Sequence, residues 1–313
     1  MSPLALGIDI GGTNTAFGLV DALGHVHYSN NFKTADFSSA ESLAKKVLKD
    51  VSSQVTSMSN IEGIGIGAPN GNYHNGTIEF APNLQWKGVI PLAAIFKKHF
   101  NLPVTVTNDA NAAAVGEMLF GAAQGMRDFL LVTLGTGLGS GFVCKGEVLY
   151  GHTGMAGELG HIIVQPGGRA CGCGRKGCLE TYASATGFKR TIAELRQTFK
   201  VHSPLVKTPM TRISAKRTTE LAEQGDPMAL KAFDITARYL AHGLATAVAI
   251  TSPEAVILAG GLTRSGKTLT DPLEKYFNQE LLVIFQHKVP VLVSKLLDEN
   301  AAVLGAAALV LQR

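Results

Sequence analysis

A pattern that occurs twice constrains this chain more than any other feature. Near the N-terminus, LALGIDI, GGTN and TAFGLVD read as strand, turn and strand, and HVHYSNNFK follows as a third strand. β-Branched and aromatic residues alternate between glycine-bearing turns, as a meander requires. Further along, DFLLVTLG (128–135), TGLG and SGFVCK repeat that order, with GEVLY as the next strand. Both copies put a Gly-Thr-rich turn after their first strand, GGT at 11–13 and GTG at 135–137. The repeat is one of pattern rather than identity, and it predicts two similar α/β domains facing one another.

Apolar positions Leu43, Val47, Leu48, Val51 and Val55 predict a helix over roughly 39–58. Strand IEGIGIGA (61–68), a long polar loop, helix PLAAIFKKHF (91–100) and strand PVTVTND (103–109) come next. In the second half, helices are expected at about 180–198 and 214–224, and another opens at Asp226-Pro227, a capping residue followed by proline. Strand EAVILAG (254–260) and a helix over about 300–312 complete the series. With 313 residues, 46% of them hydrophobic, two domains can each bury a core. Twenty-eight basic against 24 acidic residues leave no electrostatic footprint for nucleic acid or an acidic membrane, so a small-molecule partner is expected. The apolar run at the N-terminus lacks a basic region and stops at Gly11-Gly12, and AAVLGAAALVL (301–311) is too short to span a bilayer. The expected compartment is the cytoplasm.

Glycine at a strand-end turn lets backbone N–H groups approach an anion with no Cβ in the way, and threonine adds a hydroxyl donor. Asp9, Gly11, Gly12, Thr13 and Asn14 in the first turn, and Gly135, Thr136 and Gly137 in the second, are therefore candidate phosphate residues, with Asp9 able to face Mg²⁺. Neither turn is a Rossmann fingerprint, because the glycine spacing is wrong and a strand follows instead of a helix. GLTRSGKT (261–268) matches the P-loop pattern letter for letter. It is read as coincidence, because Asp271-Pro272 is expected to open the next helix and a P-loop helix would already be running there. What remains of it is Gly260-Gly261, a strand-end turn able to lie against a nucleobase.

Three of the four cysteines fall within eight positions of the stretch ELGHIIVQPGGRACGCGRKGCLE (158–180). His161, Cys171, Cys173 and Cys178 form the Cys₃His set of a closed, tetrahedral, structural zinc site, and the intervening glycines let a short loop wrap a metal. A dithiol redox site fits less well, since the spacing is not C-x-x-C. Cys144, alone in a strand pattern, reads as a core residue. Glu158 and Glu180 flank the loop, and two carboxylates with an imidazole suit the vicinal hydroxyls of a sugar.

DIGGTNT, LGTGLGSG, ELGH and CGCGRKGCLE together resemble the ROK family of sugar kinases over essentially the whole chain. The resemblance implies an α/β, actin/hexokinase-like fold of two duplicated ribonuclease-H-like domains with an interdomain cleft. It places residues 1–109 with about 300–313 in a small domain, and 110–299 in a larger one carrying the zinc loop. It implies Asp109 as catalytic base, Asn83, Asn108, Glu158, His161 and Glu180 as sugar contacts, and His161 with the three cysteines as ligands of structural Zn²⁺. The expected reaction is ATP- and Mg²⁺-dependent phosphorylation of a hexose on its 6-hydroxyl, with glucose the first choice. N-Acetylmannosamine, N-acetylglucosamine, mannose and fructose are alternatives, since Pro69-Asn70-Gly71 stands where the family usually has Pro-Gly. Homodimers are expected from the same resemblance. A sugar-sensing repressor of the family carries a helix-turn-helix domain ahead of the first phosphate strand, and here that strand begins by Leu4. An actin-like filament or chaperone ATPase leaves the zinc loop unexplained. Asp109 also fits the cap of a helix over 110–120, a purely structural role.

Overall fold

The computed structural model describes residues 3–296 and 300–312, and these form two compact units. Residues 1, 2, 297–299 and 313 lie outside the described residues, including Asp298 and Glu299 just ahead of the last helix.

Unit 1 comprises the chain up to Met126, Gly141–Gly157 and the chain from Ser294. Strands β1 (Leu4–Ile10), β2 (Asn14–Asp21) and β3 (Val26–Lys33) form the expected meander, followed by helix α1 (Ala40–Ser52) and strand β4 (Ile61–Ala68). The segment read as a long polar loop holds three short strands, β5 (Gly71–Asn72), β6 (Thr77–Glu79) and β7 (Val89–Ile90), paired in that order. Helix α2 (Leu92–Phe100), strand β8 (Val104–Asn108) and helix α3 (Asp109–Phe120) follow. The main sheet runs β3-β2-β1-β4-β8, with β4 and β8 parallel to β1. This is the mixed sheet of a ribonuclease-H-like unit.

Leu43, Val47 and Val51 are fully buried on the face of α1 that covers one side of this sheet, beside Leu92 and Phe96 of α2. The helix stops at Ser52, short of the expected 58, in a run of serines that compete for backbone hydrogen bonds. The other side takes helix α9 (Ala301–Leu311), whose backbone lies directly on glycines of β1 and β4. A Cβ at Gly7 would stand 2.2 Å from the Val303 carbonyl oxygen, and one at Gly65 1.8 Å from that of Ala306. Helix α3 meets α9 as closely, for a Cβ at Gly116 would lie 2.8 Å from the Gly305 Cα.

Unit 2 comprises Arg127–Ser140 and Glu158–Val293. Strand β9 (Phe129–Leu134) is followed by β10 (Leu138–Cys144), which starts in unit 2 and continues into unit 1. There its end pairs with β11 (Glu147–Val148). Cys144 is half-buried at that end rather than a core residue, because the strand alternates and its last side chain falls on the open face. The expected helix over 180–198 breaks into α4 (Glu180–Ala183) and α5 (Ala185–Thr198) at Ser184, whose Oγ accepts the Gly187 N–H at 3.0 Å. Helices α6 (Ala215–Glu223) and α7 (Pro227–Thr251) start as expected, the latter capped by Asp226. Strand β12 (Ala255–Ala259), helix α8 (Lys267–Glu280) and strand β13 (Val291–Val293) complete the unit, with β12 parallel to both β9 and β13. Among the described residues no helix is long and apolar enough to cross a membrane.

Candidate active site

In unit 1 the sheet order brings together two carboxylates far apart in sequence. Asp9 lies on β1, opposite Gly67 of the neighbouring strand β4, and Asp109 follows β8 on the far side of that strand. Gly67 has no side chain to part them: a Cβ there would sit 3.5 Å from the Asp109 Cα and 3.7 Å from an Asp9 oxygen. Burial, and then the negative charge of Asp109, push the Asp9 carboxyl up to about 7. Asp109 is reachable by solvent at the start of α3 yet crowded by protein, and this desolvation raises its pKa against the opposing pull of the Ala110 N–H. Two carboxylates that resist sharing negative charge suit a role in which one binds a cation and the other takes up a proton.

Asp109 is not the helix cap. Asn108 holds that position, its Oδ1 accepting the Ala110 N–H at 2.8 Å, and Asp109 is the first helical residue. One of the two polar atoms expected to meet a sugar at Asn108 is thereby engaged with the helix.

The first glycine turn is held from behind. The Gly11 N–H donates to the Asn14 carbonyl at 2.9 Å, and the Thr34 hydroxyl donates to the Gly11 carbonyl at 2.7 Å. Gly12, Thr13 and Asn14 are exposed. Exposed Asn83 stands against this turn, where a Cβ on Gly12 would fall 2.7 Å from the Asn83 carbonyl oxygen. The sequence left Asn83 unconnected to the phosphate turn.

In unit 2 the Gly135 N–H bonds to the Gly137 carbonyl at 3.0 Å, and the Ala185 N–H at the start of α5 bonds to the Gly135 carbonyl at 2.9 Å. Thr136 is exposed at the tip. Glu180, first residue of α4, accepts the Leu138 N–H on Oε2 at 3.0 Å, and Gly137 passes so close that a Cβ would be 2.4 Å from that oxygen. Its other oxygen lies 3.9 Å from the Cys171 sulfur. Glu180 thus ties the second glycine turn to the cysteine loop. Gly260 adopts φ +94°, and a Cβ there would strike the Leu134 carbonyl at 2.7 Å, whereas Gly261 faces open space. Helix α8 begins at Lys267 with Pro272 inside it, so the expectation that Asp271-Pro272 opens this helix is corrected. Pro272, the sixth residue of the helix, has no N–H to offer the Thr268 carbonyl, so the helix runs through it at the loss of one backbone bond. The match to a P-loop still fails on other grounds, since Gly261–Ser265 coil into a 3₁₀ turn that spends the Thr263 and Gly266 N–H groups internally.

The cysteine loop is a tight hairpin. Bridges pair Ala170 with Lys176 and Ile163 with Cys178, and Gly174 and Gly177 take φ +87° and +84°. The donor atoms of His161, Cys171, Cys173 and Cys178 all lie within 4.8 Å of one another. Cys173 and Cys178 sulfurs are 3.6 Å apart, and the Cys171 sulfur is 3.7 Å from His161 Nδ1. A tetrahedron with metal–sulfur bonds of about 2.3 Å has edges of about 3.8 Å, so the donor set fits a tetrahedral metal. Hydrogen bonds from Arg175 pull the Cys173 thiol down to about 6, while burial pushes Cys178 up to about 12. His161 turns Nε2 away from the sulfurs toward Glu158 Oε2, at 3.9 Å.

Known proteins are similar to this chain over most of its length. A glucokinase of Thermotoga maritima is 35% identical over 98% of this chain and 97% of its own. The structure of a ROK-family glucokinase from Streptomyces griseus, in complex with glucose and AMPPNP, superimposes with a TM-score of 0.81 at 36% identity, covering 99% of this chain and all of that one. A xylose repressor of Caldicellulosiruptor bescii is 34% identical over 80% of this chain and 63% of its own length. The ROK family profile matches residues 5–313, taking in both glycine turns, both carboxylates and the cysteine loop. A carboxylate pair beside one glycine turn and a Cys₃His hairpin beside the other are thus features of a chain that belongs to the ROK family.

Proposed function

We propose that this chain is an ATP-dependent glucokinase, transferring the γ-phosphoryl group of ATP to the 6-hydroxyl of glucose. The observation that carries this reading is Asp109: an accessible carboxylate with a raised pKa, fixed at a helix start beside a glycine turn. Asp109 accepts the proton of the 6-hydroxyl as its oxygen forms a bond to the γ-phosphorus and the bond to the ADP oxygen breaks. A base contributes about 10²–10⁴-fold to such a step, and positioning supplies much of the remainder. Gly11–Asn14 and Gly135–Gly137 offer backbone and hydroxyl donors to the phosphates, and Gly260-Gly261 a flat backbone for the base. Asp9 is the residue suited to Mg²⁺, which when bound spreads the charge of the phosphate oxygens. Asn83, Asn108, Glu158, His161 and Glu180 provide acceptors and donors for sugar hydroxyls. His161, Cys171, Cys173 and Cys178 would hold a structural zinc ion, which would fix the ring of His161 through Nδ1 and leave Nε2 for a sugar hydroxyl. Homodimerisation and a cytoplasmic location belong to the same proposal, and light scattering of the purified protein reads the former.

The test is ADP release with Mg-ATP across glucose, mannose, fructose, N-acetylglucosamine and N-acetylmannosamine. Strong turnover with glucose supports the proposal. Preference for another sugar moves the substrate within the family. Glucose binding without ADP release favours the second reading, a sugar-sensing repressor, to which the similarity to the xylose repressor points.

A further inference from the structure

Helices α4 and α5 are parted by the single residue Ser184, and the break displaces a backbone hydrogen bond. In a continuous helix the Ala185 N–H would donate to the Thr181 carbonyl, four residues back. Here it donates instead to the Gly135 carbonyl of the second glycine turn, at 2.9 Å. Arg169 takes its place at Thr181, with Nη1 donating to that carbonyl at 2.6 Å. The same nitrogen reaches the Gly187 carbonyl at 3.2 Å, on the other side of the break.

Arg169 stands in the cysteine loop, two residues ahead of Cys171, and its side chain is 7% exposed. Nε and Nη2 hold the two oxygens of Glu194 at 2.8 and 2.6 Å, and Nη2 also meets the Thr191 hydroxyl at 2.9 Å. The guanidinium lies 4.3 Å from the centre of the Tyr182 ring, whose hydroxyl accepts the Arg169 backbone N–H at 3.0 Å. With each of its N–H groups engaged, the planar fork has one placement. Helix α4 is only four residues long, and a lone turn does not stabilise itself. At its start the Cys178 carbonyl takes the Thr181 N–H at 3.0 Å and the Thr181 hydroxyl at 2.7 Å, and at its end Arg169 takes the Thr181 carbonyl. Glu180, whose Oε2 accepts the Leu138 N–H at 3.0 Å, is the first residue of this turn. All of these residues belong to unit 2.

We infer that Arg169 is a positioning residue for Glu180 and for the second glycine turn, because by bonding the Thr181 carbonyl it leaves the Ala185 N–H to hold Gly135. The inference rests on the reading of Glu180 as a sugar contact and of Gly135–Gly137 as a phosphate turn. Without the guanidinium, the Ala185 N–H has two carbonyls competing for it, and the break between α4 and α5 is free to close.

The experiment joins steady-state kinetics to hydrogen–deuterium exchange of the free, full-length protein, for Arg169→Met, Glu180→Gln and the double variant. Arg169→Met is expected to speed exchange in peptides covering 133–140 and 179–187, and to raise the glucose and Mg-ATP KM values about ten-fold each, with kcat changed less. In the Glu180→Gln background it adds little to the glucose KM, because both changes act on one contact, and still raises the Mg-ATP KM. Unchanged exchange in both peptides overturns the inference whatever the chain phosphorylates, since that measurement needs no substrate. Faster exchange with both KM values unchanged overturns the positioning role. A glucose KM unchanged in Glu180→Gln removes Glu180 from the sugar site, which counts against the proposed function, while exchange at 133–140 still decides whether Arg169 braces the turn. Should Arg169→Met fail to fold, Arg169→Lys, which keeps the charge and loses the fork, carries the test with smaller changes in the same direction. Unchanged exchange there overturns the inference.

Discussion

The two glycine turns have the same outline and different backing. The first, Gly11–Asn14, stands beside Asp9 and Asp109, which burial has made reluctant to ionise, and rests on the backbone of Asn83. The second, Gly135–Gly137, has no carboxylate on its own strand and rests on a side chain, Glu180, that also reaches the cysteine loop. One hairpin motif thus stands beside two carboxylates in one copy and beside a Cys₃His donor set in the other. On the function proposed above, both copies offer the same backbone to phosphate and the residues behind it divide the labour.

The largest test of that division is Asp109→Asn. It keeps the shape of the first turn and removes the base, so kcat for glucose is expected to fall about 10³-fold with little change in glucose KM. Retained turnover would strip the first turn of its chemistry. Next is Cys178→Ser, in the buried member of the cysteine set. Plasma mass spectrometry is expected to find one zinc per wild-type chain and far less in the variant, with a melting temperature lower by on the order of 10 °C, as for loss of a structural zinc. Equal zinc content in both proteins would undo the contrast.

A finer test compares alanine in the two turns. Gly12→Ala meets the Asn83 backbone, which cannot swing aside, whereas Gly137→Ala meets the Glu180 carboxylate, which can. The first is expected to raise the Mg-ATP KM by roughly 10–100-fold. The second is expected to raise it less and to raise the glucose KM as well, because Glu180 is displaced. Identical kinetic profiles would mean that the backing of the turns does not matter.

The smallest effect concerns stability. The folded-state pKa of Asp9, about 7, lies above its ordinary value of 3.8. The native state therefore holds an extra proton between about pH 4 and 7, and stability falls as pH rises through that window. Asp9→Asn removes this penalty. Urea unfolding without Mg²⁺ is expected to find the variant more stable above pH 7, by roughly 2–4 kcal/mol, with the gap closing as pH falls toward 4. A gap that stays constant with pH would mean that Asp9 ionises freely.

The clustering of the four Cys and His donors was legible because they lie within one short stretch rich in glycine, where spacing alone fixes proximity. The Asp9–Asp109 pair was not, since their approach depends on β4 lying between β1 and β8 and on Gly67 lacking a side chain. The alternating glycines of IEGIGIGA were the available signal, and only the helix lying on them gives it meaning. Asn108 and Asp109 are both good capping residues, and composition could not choose between them. The β5–β6 hairpin escaped because its strands are two and three residues long and its contacts come from a buried asparagine rather than an apolar stripe. Pro272 misled because this helix runs through a proline at the loss of one backbone hydrogen bond, which no local sequence signal announces.

Helix α9 belongs to unit 1 although it follows all of unit 2 in the chain. Its backbone rests on Gly7 and Gly65 and braces α3, the helix that begins with Asp109, through Gly116 and Gly305. On the ribosome, a chain that has emerged only as far as Val293 contains all of unit 2 and lacks the closing layer of unit 1. Of the two units, the one begun first is completed second, and its nascent sheet must wait with one glycine-lined face uncovered. A chaperone acting during synthesis would find its substrate on that face.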